Sequence, residues 1–353
     1  MARWMLYGAY GYTGQLLAEE AVRRGHQPVL AGRSAAKLAP LAERLGLAFV
    51  AVDLNDEAAL TGAIADMELV FHAAGPFVFT GEPMIRACLA THTHYLDIAG
   101  EIPNLLSTFR YDQAAHQAGI ALISGVGFDV VPTDCLAKYL AEKQPGAVVL
   151  ELAIDALSTP SAGTFKSLLE MAPGRSWARE NGQLLSVPFS TKGRKVRFSY
   201  GERSVIPVPW GDLVTAYHTT GIPTIRTYLA IANPLRYLAG PAIPVAQRLL
   251  ANTTIRRWVS GLAGRIVKGP DAATRQQRRS YIWACAIDAN GKTTQAWLET
   301  SEAYWFTAVA GIRAVEKVLA MHPQGALTPA LAFGADFVLE IEGTRRFDRL
   351  PDS

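Results

Sequence analysis

Cysteines, net charge and long hydrophobic runs are scarce in this chain of 353 residues, and each shortage excludes a class of protein. The three cysteines, Cys88, Cys135 and Cys285, are scattered and form no CxxC pair, which argues against a disulfide framework or a zinc site. A formal net charge of +3 is too small to indicate nucleic-acid binding. No apolar targeting segment precedes the strand-like residues Arg3–Tyr7, so the sequence predicts a cytoplasmic protein without a metal site.

Acidic residues are absent from residues 222–270, although this stretch carries seven cations among many apolar side chains. Prolines and charges interrupt every window long enough to cross a bilayer, so the stretch is not expected to span a membrane. Three interpretations stay open: an amphipathic surface for anionic lipid or an acidic acyl carrier, a lid over an apolar substrate, and a domain interior or dimer interface. The first two favour a lipid-like small-molecule substrate.

What the sequence does contain is a regular alternation of short apolar strands and helical patterns over its first 130 residues. Strands are expected at Arg3–Tyr7, Gln27–Ala31, Ala48–Val52, Leu69–Ala73, His94–Ile98 and Ala121–Ser124. Helices are expected between them at Gly14–Arg24, Ala35–Leu45, Asp56–Ile64, Glu82–Thr91 and Leu105–Ala118. This alternation predicts an α/β fold in which residues 1–131 form a doubly wound parallel sheet, the Rossmann type.

The pattern changes near Gly125. A helix is expected up to Lys143, and long β-like runs follow at 148–156, 195–199, 281–288 and 293–300, the last two joined by the hairpin signal Asn290-Gly291. These runs predict a second α+β domain with a largely antiparallel sheet over residues 132–327, for substrate binding and dimerisation. Helices are also expected at Ala303–Ala320 and Pro329–Ile341.

The segment Gly8–Gly14 reads GAYGYTG, a GxxGxxG pattern between the first strand and the first helix. Glycines at such a turn let a pyrophosphate approach the free N–H groups and the positive dipole end of the helix. The string alone is weak, but its place in a βαβ unit predicts a dinucleotide site. The residues expected to contact the cofactor here are Gly8, Tyr10, Gly11, Tyr12, Thr13 and Gly14.

The residue that distinguishes NAD from NADP follows the second strand, about 20 residues beyond the glycine turn. An acidic residue there accepts from the ribose 2′-hydroxyl of NAD, whereas this sequence has Arg33, Ser34 and nearby Lys37. These groups suit a 2′-phosphate and predict NADP, the alternative being that Arg33 is a solvated loop cation. Asp53 is expected either to face the adenine or to cap a helix.

A second segment, Ala74-Gly75-Pro76, follows the fourth strand on the nicotinamide side of the predicted sheet. It is expected to contact the cofactor, the alternative being an ordinary Gly-Pro turn.

Hydride transfer needs little from a protein beyond placing the substrate over the nicotinamide and supplying a proton or polar groups. Accordingly, neither GxSxG nor HExxH occurs. Polar side chains follow strands five and six, at the edge where doubly wound sheets bind ligands: Tyr95, Asp97, Glu101 and Asp129. Asp97 and Glu101 form the leading pair for proton transfer or substrate binding, although acids at strand ends also serve as helix caps.

Seven segments together resemble the saccharopine dehydrogenase-like oxidoreductases, a family that includes proteins described as trans-acting enoyl reductases. They are GAYGYTG at 8–14, AGRS at 31–34, AGPF at 74–77, YLDIAGE at 95–101, GVGFDVVPTD at 125–134, TTGIPT at 219–224 and LTPALAFG at 327–334. The resemblance implies an NADP-binding Rossmann domain, a second α+β domain, and hydride transfer to an enoyl, imine or carbonyl substrate. It also implies that a C-terminal helix, at residues 328–342, packs back on the first domain. Ser161-Ala162-Gly163-Thr164 departs from the family, in which a glycine pair often precedes the threonine.

Two alternative functions stay open. Ser124, Tyr139 and Lys143 imitate the Ser and YxxxK arrangement of short-chain dehydrogenases, but the large second domain is unlike that single-domain family. The other alternative is a sensor or scaffold that binds NADP(H) without turnover. The expected partners are a small-molecule substrate and a second copy of the chain in a homodimer, with peripheral membrane or acyl-carrier contact through residues 222–270.

Overall fold

The computed structural model describes residues 2–156, 161–171, 176–188, 193–231, 252, 254–255, 259 and 269–350. They divide into two compact units. The first comprises Met1–Asp129 with Tyr304–Phe333, and the second comprises Val130–Ala303 with Gly334–Ser353. The sequence predicts domains at 1–131 and 132–327, with residues 328–342 packing back on the first, so the two divisions differ near the C-terminus.

The strands and helices are numbered in chain order. The strands are β1 (Trp4–Tyr7), β2 (Val29–Gly32), β3 (Phe49–Ala51), β4 (Leu69–His72), β5 (His94–Asp97), β6 (Ala121–Ile123), β7 (Ala147–Asp155), β8 (Ser176–Glu180), β9 (Gln183–Val187), β10 (Arg194–Phe198), β11 (Gly201–Pro207), β12 (Thr224–Ala230), β13 (Arg279–Asp288), β14 (Thr293–Ser301), β15 (Gly325–Leu327) and β16 (Arg345–Phe347). The helices are α1 (Tyr12–Arg23), α2 (Ala35–Leu45), α3 (Glu57–Ile64), α4 (Phe77–Thr91), α5 (Ile102–Arg110), α6 (Asp112–Ala118), α7 (Val131–Lys143), α8 (Ala162–Met171), α9 (Asp212–Thr220), α10 (Ala272–Gln277), α11 (Ala303–Met321) and α12 (Pro329–Phe333), and a 3₁₀ turn covers Phe337–Glu340.

A parallel sheet forms the centre of the first unit. Within the described residues it has seven strands in the order β15-β6-β5-β4-β1-β2-β3, and every neighbouring pair is parallel. Strands β1, β4 and β5 are buried along their whole length, as expected for strands covered by helices on both faces. Strands β2 and β3 lie on one side of β1, and β4, β5 and β6 lie on the other. This switch in strand order between β1 and β4 places a ligand-binding crevice at the carboxyl ends of these strands.

Two helices of the first unit begin or divide elsewhere than expected. Helix α4 begins at Phe77 rather than Glu82, because a carboxylate from the next helix region, Glu101, accepts from the Val78 N–H and stabilises this early start. The single helix expected at Leu105–Ala118 is two helices that divide at Tyr111.

Two C-terminal elements of the first unit, α11 and β15, were not expected there. Helix α11 is apolar on most of its faces, and a side chain at Gly311 would collide with Leu17 and Phe71 of the first unit. Strand β15 then pairs with β6 at the edge of the parallel sheet, where the sequence suggests only a turn. Helix α11 is almost entirely apolar, so it is buried in the first unit although it follows most of the second unit in the sequence.

The second unit has a mixed sheet. Its described strands follow the order β10-β11-β12-β7-β13-β14-β16, with the β8–β9 hairpin attached to β12. The long central hairpin β13–β14 turns at Asn290-Gly291 as the sequence predicts. Among the described strands of this second sheet, only β7 and β12 form a parallel pair. The predicted fold class, a Rossmann-type domain joined to an α+β domain with a largely antiparallel sheet, is confirmed.

The helix expected at Pro329–Ile341 is wrong in its extent. It ends at Phe333, because Gly334 adopts the left-handed backbone conformation (φ +89°), and only a 3₁₀ turn follows at Phe337–Glu340. Pro329–Phe333 belongs to the first unit, whereas the chain from Gly334 belongs to the second. Residues 328–342 therefore do not all pack on the first domain. Among the described residues, no helix is long and apolar enough to cross a membrane.

Candidate functional site

The glycine turn after β1 is built for close backbone approach. Gly8 adopts φ +89°, and its N–H donates to the Ala31 carbonyl at 2.8 Å. A Cβ on Gly8 would lie 2.8 Å from the Ala73 backbone, and one on Gly14 would lie 2.2 Å from the Gly8 oxygen. Side chains at either position would therefore open the turn, which explains why glycine stands at both.

The two helices that follow β1 and β2 have no side-chain caps. Helix α1 begins after Gly11 and helix α2 after Ser34, and neither residue makes a side-chain bond to its own helix. Helix α3, in contrast, is capped by Asp56, which accepts from the Ala59 N–H at 3.0 Å. The N-terminal N–H groups of α1 and α2 are thus left to attract an anion.

The side chains that are predicted to bind a 2′-phosphate follow the end of β2. Arg33 and Lys37 are exposed, Ser34 is half-buried, and Lys37 Nζ lies 5.5 Å from the centre of the Tyr10 ring. The Tyr10 ring itself covers Gly32, where a Cβ would be 2.7 Å from the ring. Within the described part of the chain, no hydrogen bond or ion pair engages the Arg33 guanidinium. Residues 33–37 thus carry two cations and one hydroxyl, and no acidic residue.

Asp53 does not cap a helix, which was one of its two expected roles. Its Oδ1 accepts from the N–H and the side-chain amide of Asn55, at 2.9 and 2.8 Å. The cap of helix α3 is Asp56, so Asp53 is not a helix cap. Asp53 is exposed at the end of β3, and its role towards the adenine stays a prediction. Tyr12 and Thr13 occupy the first turn of α1 and are half-buried.

Asp97 is a fully buried hub of hydrogen bonds. Its carboxylate accepts from the Tyr95 and Ser124 hydroxyls at 2.7 and 2.8 Å and from the Asn104 amide at 3.0 Å. It also accepts from the backbone N–H groups of Ala99 and Gly125, each at 2.9 Å. Burial raises the pKa of Asp97, although these hydrogen bonds act in the opposite direction. With five donors in place, Asp97 joins the loops after β5 and β6 to each other.

Glu101 and Asp129 lie on the two loops that Asp97 joins. Glu101 is buried, and its Oε2 accepts from the Val78 N–H at 2.7 Å, at the start of helix α4. Asp129 is half-buried against Gly100, where a Cβ would lie 2.9 Å from the Asp129 Cβ. Burial, with the negative charge of Glu101, raises the pKa of Asp129 to about 6. A carboxyl group with a pKa in this range suits proton transfer near neutral pH.

Tyr95 is less suited to chemistry. It is completely buried on β5 and donates to Asp97, and burial raises its pKa well above the ordinary value. The loop that carries Asp129 is held by helix α11, because the Thr307 hydroxyl accepts from the Phe128 N–H at 3.0 Å. Tyr95 thus bonds to Asp97, Glu101 bonds to the Val78 N–H, and Asp129 lies on the loop after β6. Which of these four residues acts in catalysis stays a prediction.

The short-chain dehydrogenase arrangement is not supported by the contacts of its three residues. Ser124 is buried and donates to Asp97. The Tyr139 hydroxyl donates to Asp348 at 2.7 Å, and Lys143 forms an ion pair with the same carboxylate at 2.6 Å. Ser124 is therefore bonded to Asp97, whereas Tyr139 and Lys143 share Asp348 as their partner.

Sequence reasoning missed two residues beside the predicted cofactor segment. Ala74, Gly75 and Pro76 follow β4, and the Thr80 hydroxyl donates to the Ala74 oxygen at 2.7 Å. Thr80 in turn contacts the buried His72, at 3.0 Å from Nε2. A polar residue at the end of an otherwise apolar buried strand was the available signal for His72. The basic stretch 222–270 lies mostly outside the described residues, including Arg256, Arg257 and Trp258.

The first unit fits a dinucleotide. A Cβ would fill the turn at Gly8 and Gly14, and the adjoining helix N-terminus is uncapped, so the turn leaves room for an anion beside backbone N–H groups. Cations rather than an acid follow β2, which suits a 2′-phosphate. Among the described residues, no cluster of His, Cys, Asp and Glu side chains could hold a metal ion.

Comparison with known proteins agrees with this site. Residues 4–123 match the family model described as the saccharopine dehydrogenase NADP binding domain. The match confirms the resemblance predicted from the motifs and confirms NADP as the cofactor. A saccharopine dehydrogenase-like oxidoreductase from Bos taurus is 31% identical over 179 residues, which cover 45% of this chain and 41% of that protein.

A Mycobacterium tuberculosis protein named as a trans-acting enoyl reductase is 30% identical over 199 residues, or 52% of this chain and 48% of that protein. The chain thus matches about half the length of these relatives. The apo saccharopine dehydrogenase (L-Glu forming) of Saccharomyces cerevisiae has a TM-score of 0.65 at 13% identity and covers 98% of this chain and 100% of its own. At that identity, the likeness establishes the shared fold alone.

Proposed function

We propose that this chain, which carries a saccharopine dehydrogenase NADP-binding domain over residues 4–123, is an oxidoreductase that transfers hydride between NADP(H) and a small-molecule substrate. One observation carries the proposal. The glycine turn and Asp129, whose pKa is raised to about 6, both lie at the carboxyl ends of strands in one parallel sheet. A cofactor site and a proton-transfer group thus share the edge where doubly wound sheets bind ligands.

The chain's own residues would hold the cofactor in three places. The N–H groups at the start of α1 face the pyrophosphate across the Gly8–Gly14 turn, and Arg33, Ser34 and Lys37 bind the 2′-phosphate. Ala74 lies against Gly8, and the Ala74–Pro76 segment would contact the other half of the dinucleotide. When bound, NADP(H) supplies or accepts the hydride.

In this proposal, Asp129 donates the proton to the substrate. A carboxyl group with a pKa near 6 is protonated often enough at neutral pH to donate to a substrate atom that gains electrons. Glu101 keeps that pKa raised by its charge, and Asp97 fixes the two loops on which Glu101 and Asp129 lie. Asp129 is therefore the catalytic residue, and Asp97 and Glu101 are positioning residues.

The substrate class is an enoyl, imine or carbonyl compound, and an apolar acyl substrate is favoured. Support comes from the relative named as a trans-acting enoyl reductase and from the apolar, acid-free residues 222–270. On the same ground we include peripheral contact with a membrane or an acyl carrier, a homodimer, and a cytoplasmic location in the proposal.

NADPH oxidation tests the proposal directly. Purified protein is supplied with NADPH and a panel of enoyl-thioester, imine and carbonyl substrates of several chain lengths, and absorbance of NADPH is followed. We expect turnover with at least one class and its loss in Asp129→Asn, with Asp66→Asn, on an exposed carboxylate outside the site, as the control. Binding of NADPH without turnover on any class would favour the sensor or scaffold function instead.

A further inference from the structure

The Thr80 hydroxyl joins helix α4 to the loop between β4 and α4. Its oxygen lies 2.7 Å from the Ala74 carbonyl oxygen, 3.2 Å from the Pro76 carbonyl oxygen and 3.0 Å from His72 Nε2. A hydroxyl has one proton, and here carbonyl oxygens accept it. The hydroxyl therefore accepts from His72, which must carry its proton on Nε2.

His72 is fixed in this protonation state by its surroundings. It is completely buried among the rings of Tyr7, Phe77 and Tyr95, whose centres lie 5.5, 5.4 and 6.3 Å away. Nδ1 has no hydrogen-bond partner within the described residues. Burial lowers the pKa of His72 to about 3, so the ring is neutral at any pH at which the protein works.

The contact with Thr80 decides which way the Ala74–Gly75 peptide faces. This peptide is trans, so its carbonyl and the Gly75 N–H point in opposite directions. The carbonyl is directed to Thr80 on helix α4, and the N–H is therefore directed away from that helix. Gly75 is exposed, and its N–H has no hydrogen-bond partner within the described part of the chain.

The position of the loop indicates what this N–H meets. Strand β1 lies between β4 and β2, so the loop after β4 and the cations after β2 flank the glycine turn on opposite sides. Ala73 and Ala74 touch the turn, at 2.8 Å from the position of a Gly8 Cβ. A dinucleotide whose adenosine half meets Arg33 extends across β1 towards Gly75.

We propose that Thr80, held by His72, is a positioning residue that directs the Gly75 N–H to an oxygen acceptor on the nicotinamide half of NADP(H). This inference rests on the proposed function, because it requires that the first unit bind NADP(H). It concerns only how one half of the cofactor is held. Neither Thr80 nor His72 touches the cofactor in this arrangement.

The test compares two ligands by calorimetry. NADPH has both halves, whereas 2′,5′-ADP has the adenosine half with its 2′-phosphate and lacks the nicotinamide half. Thr80→Val keeps the size of the side chain and removes the hydroxyl. We expect it to weaken NADPH binding about tenfold, as for one lost hydrogen bond with loosening of the loop, and to leave 2′,5′-ADP within about twofold.

Two further variants serve as checks. Thr80→Ser retains the hydroxyl and should bind NADPH like the parent. Thr61→Val on helix α3 removes a hydroxyl that donates to the Glu57 carbonyl at 2.7 Å, far along the chain from the loop, and should change neither ligand. If Thr80→Val does not fold, His72→Phe fills the same apolar pocket without the N–H donor and should weaken NADPH in the same selective way.

Equal weakening of NADPH and 2′,5′-ADP, or no change in either, would overturn the positioning role of Thr80. A parent protein that binds neither ligand would instead overturn the proposed function. A parent that binds both ligands, with a variant that loses only NADPH affinity, supports the inference.

Discussion

The carboxyl group of Asp129 and the buried carboxylate of Glu101 are electrostatically coupled at the carboxyl ends of β5 and β6. Burial and the charge of Glu101 together raise the pKa of Asp129 to about 6. A general acid must be protonated, so NADPH-dependent reduction by the parent should fall as pH rises through about 6. Asp129→Asn should reduce kcat by about 10²–10⁴-fold, the usual contribution of a general acid.

The role of Glu101 gives the matched experiment. Glu101→Gln keeps a side-chain oxygen for the Val78 N–H but removes the negative charge. The pKa of Asp129 should then fall, and the limb of the kcat profile should move to lower pH. A pH profile identical to that of the parent would contradict the coupling.

Arg33 should determine the choice between NADPH and NADH. Because a charge-assisted bond to phosphate is stronger than a neutral one, calorimetry should give NADPH an advantage of about tenfold or more over NADH. Arg33→Ala should remove most of this advantage. Arg44→Ala, which removes an exposed arginine paired with Glu19 at 2.8 Å, is the control and should leave the preference unchanged. Equal affinities in the parent would contradict the assignment.

Asp97 should matter more for stability than an exposed carboxylate does. Asp97→Asn turns an amide N–H towards groups that donate hydrogen bonds, and buried donors are then left unpaired. We expect the free energy of unfolding to fall by about 3 kcal/mol in urea titrations. Asp53→Asn should change it by about 0.5 kcal/mol or less, because Asp53 is exposed. A fully stable Asp97→Asn protein that lost only kcat would point to a direct catalytic role.

Glu316 on α11 should make the protein sensitive to acid. Burial opposes its charge, but hydrogen bonds from Arg24 and His26 prevail and lower its pKa from 4.5 to about 2. A lowered pKa stabilises the folded state fully above about pH 4.5, and this stabilisation is lost as pH falls towards 2. Glu316→Gln should therefore reduce the free energy of unfolding by about 2 kcal/mol at pH 7, with a smaller difference at pH 3.

Denaturant titrations across this pH range measure the effect of Glu316. Glu19→Gln removes an exposed carboxylate paired with Arg44 and should cost far less. A difference between Glu316→Gln and the parent that does not depend on pH would exclude the ionised carboxylate as its source.

The basic stretch 222–270 allows a test that depends on the sequence alone. If the stretch binds membranes, co-sedimentation with vesicles should require anionic lipid, weaken as salt rises, and decrease when Arg256 and Arg257 are both changed to Glu. A lid would leave vesicle binding unaffected by this change, whereas truncation of Trp258 would impair turnover of long-chain substrates more than short ones. A changed sedimentation coefficient of the oligomer would indicate an interface between copies.

Most of the parallel sheet could be predicted because its signals are local. The six strands up to Ala121–Ile123 each form an apolar run bounded by turn residues, and the glycine turn lies at the expected junction of β1 and α1. The hairpin at Asn290-Gly291 was predictable for the same reason. In the second unit, strands β8, β9, β11 and β12 were not predicted, because their short and partly exposed sequences carry no clear period.

The sequence by itself was enough to predict a dinucleotide site, since GxxGxxG between a strand and a helix, followed by Arg33, is read from neighbouring residues. Tertiary structure alone decided how the acids at this edge of the sheet are held. The five donors to Asp97 come from separate segments, from Tyr95 to Gly125, and only folding shows that they occupy it. Likewise, β15 pairs with β6 although about 200 residues of chain separate them. The reason is that β15 covers an exposed edge of the sheet and α11 buries its apolar surface, and neither gain depends on proximity in sequence.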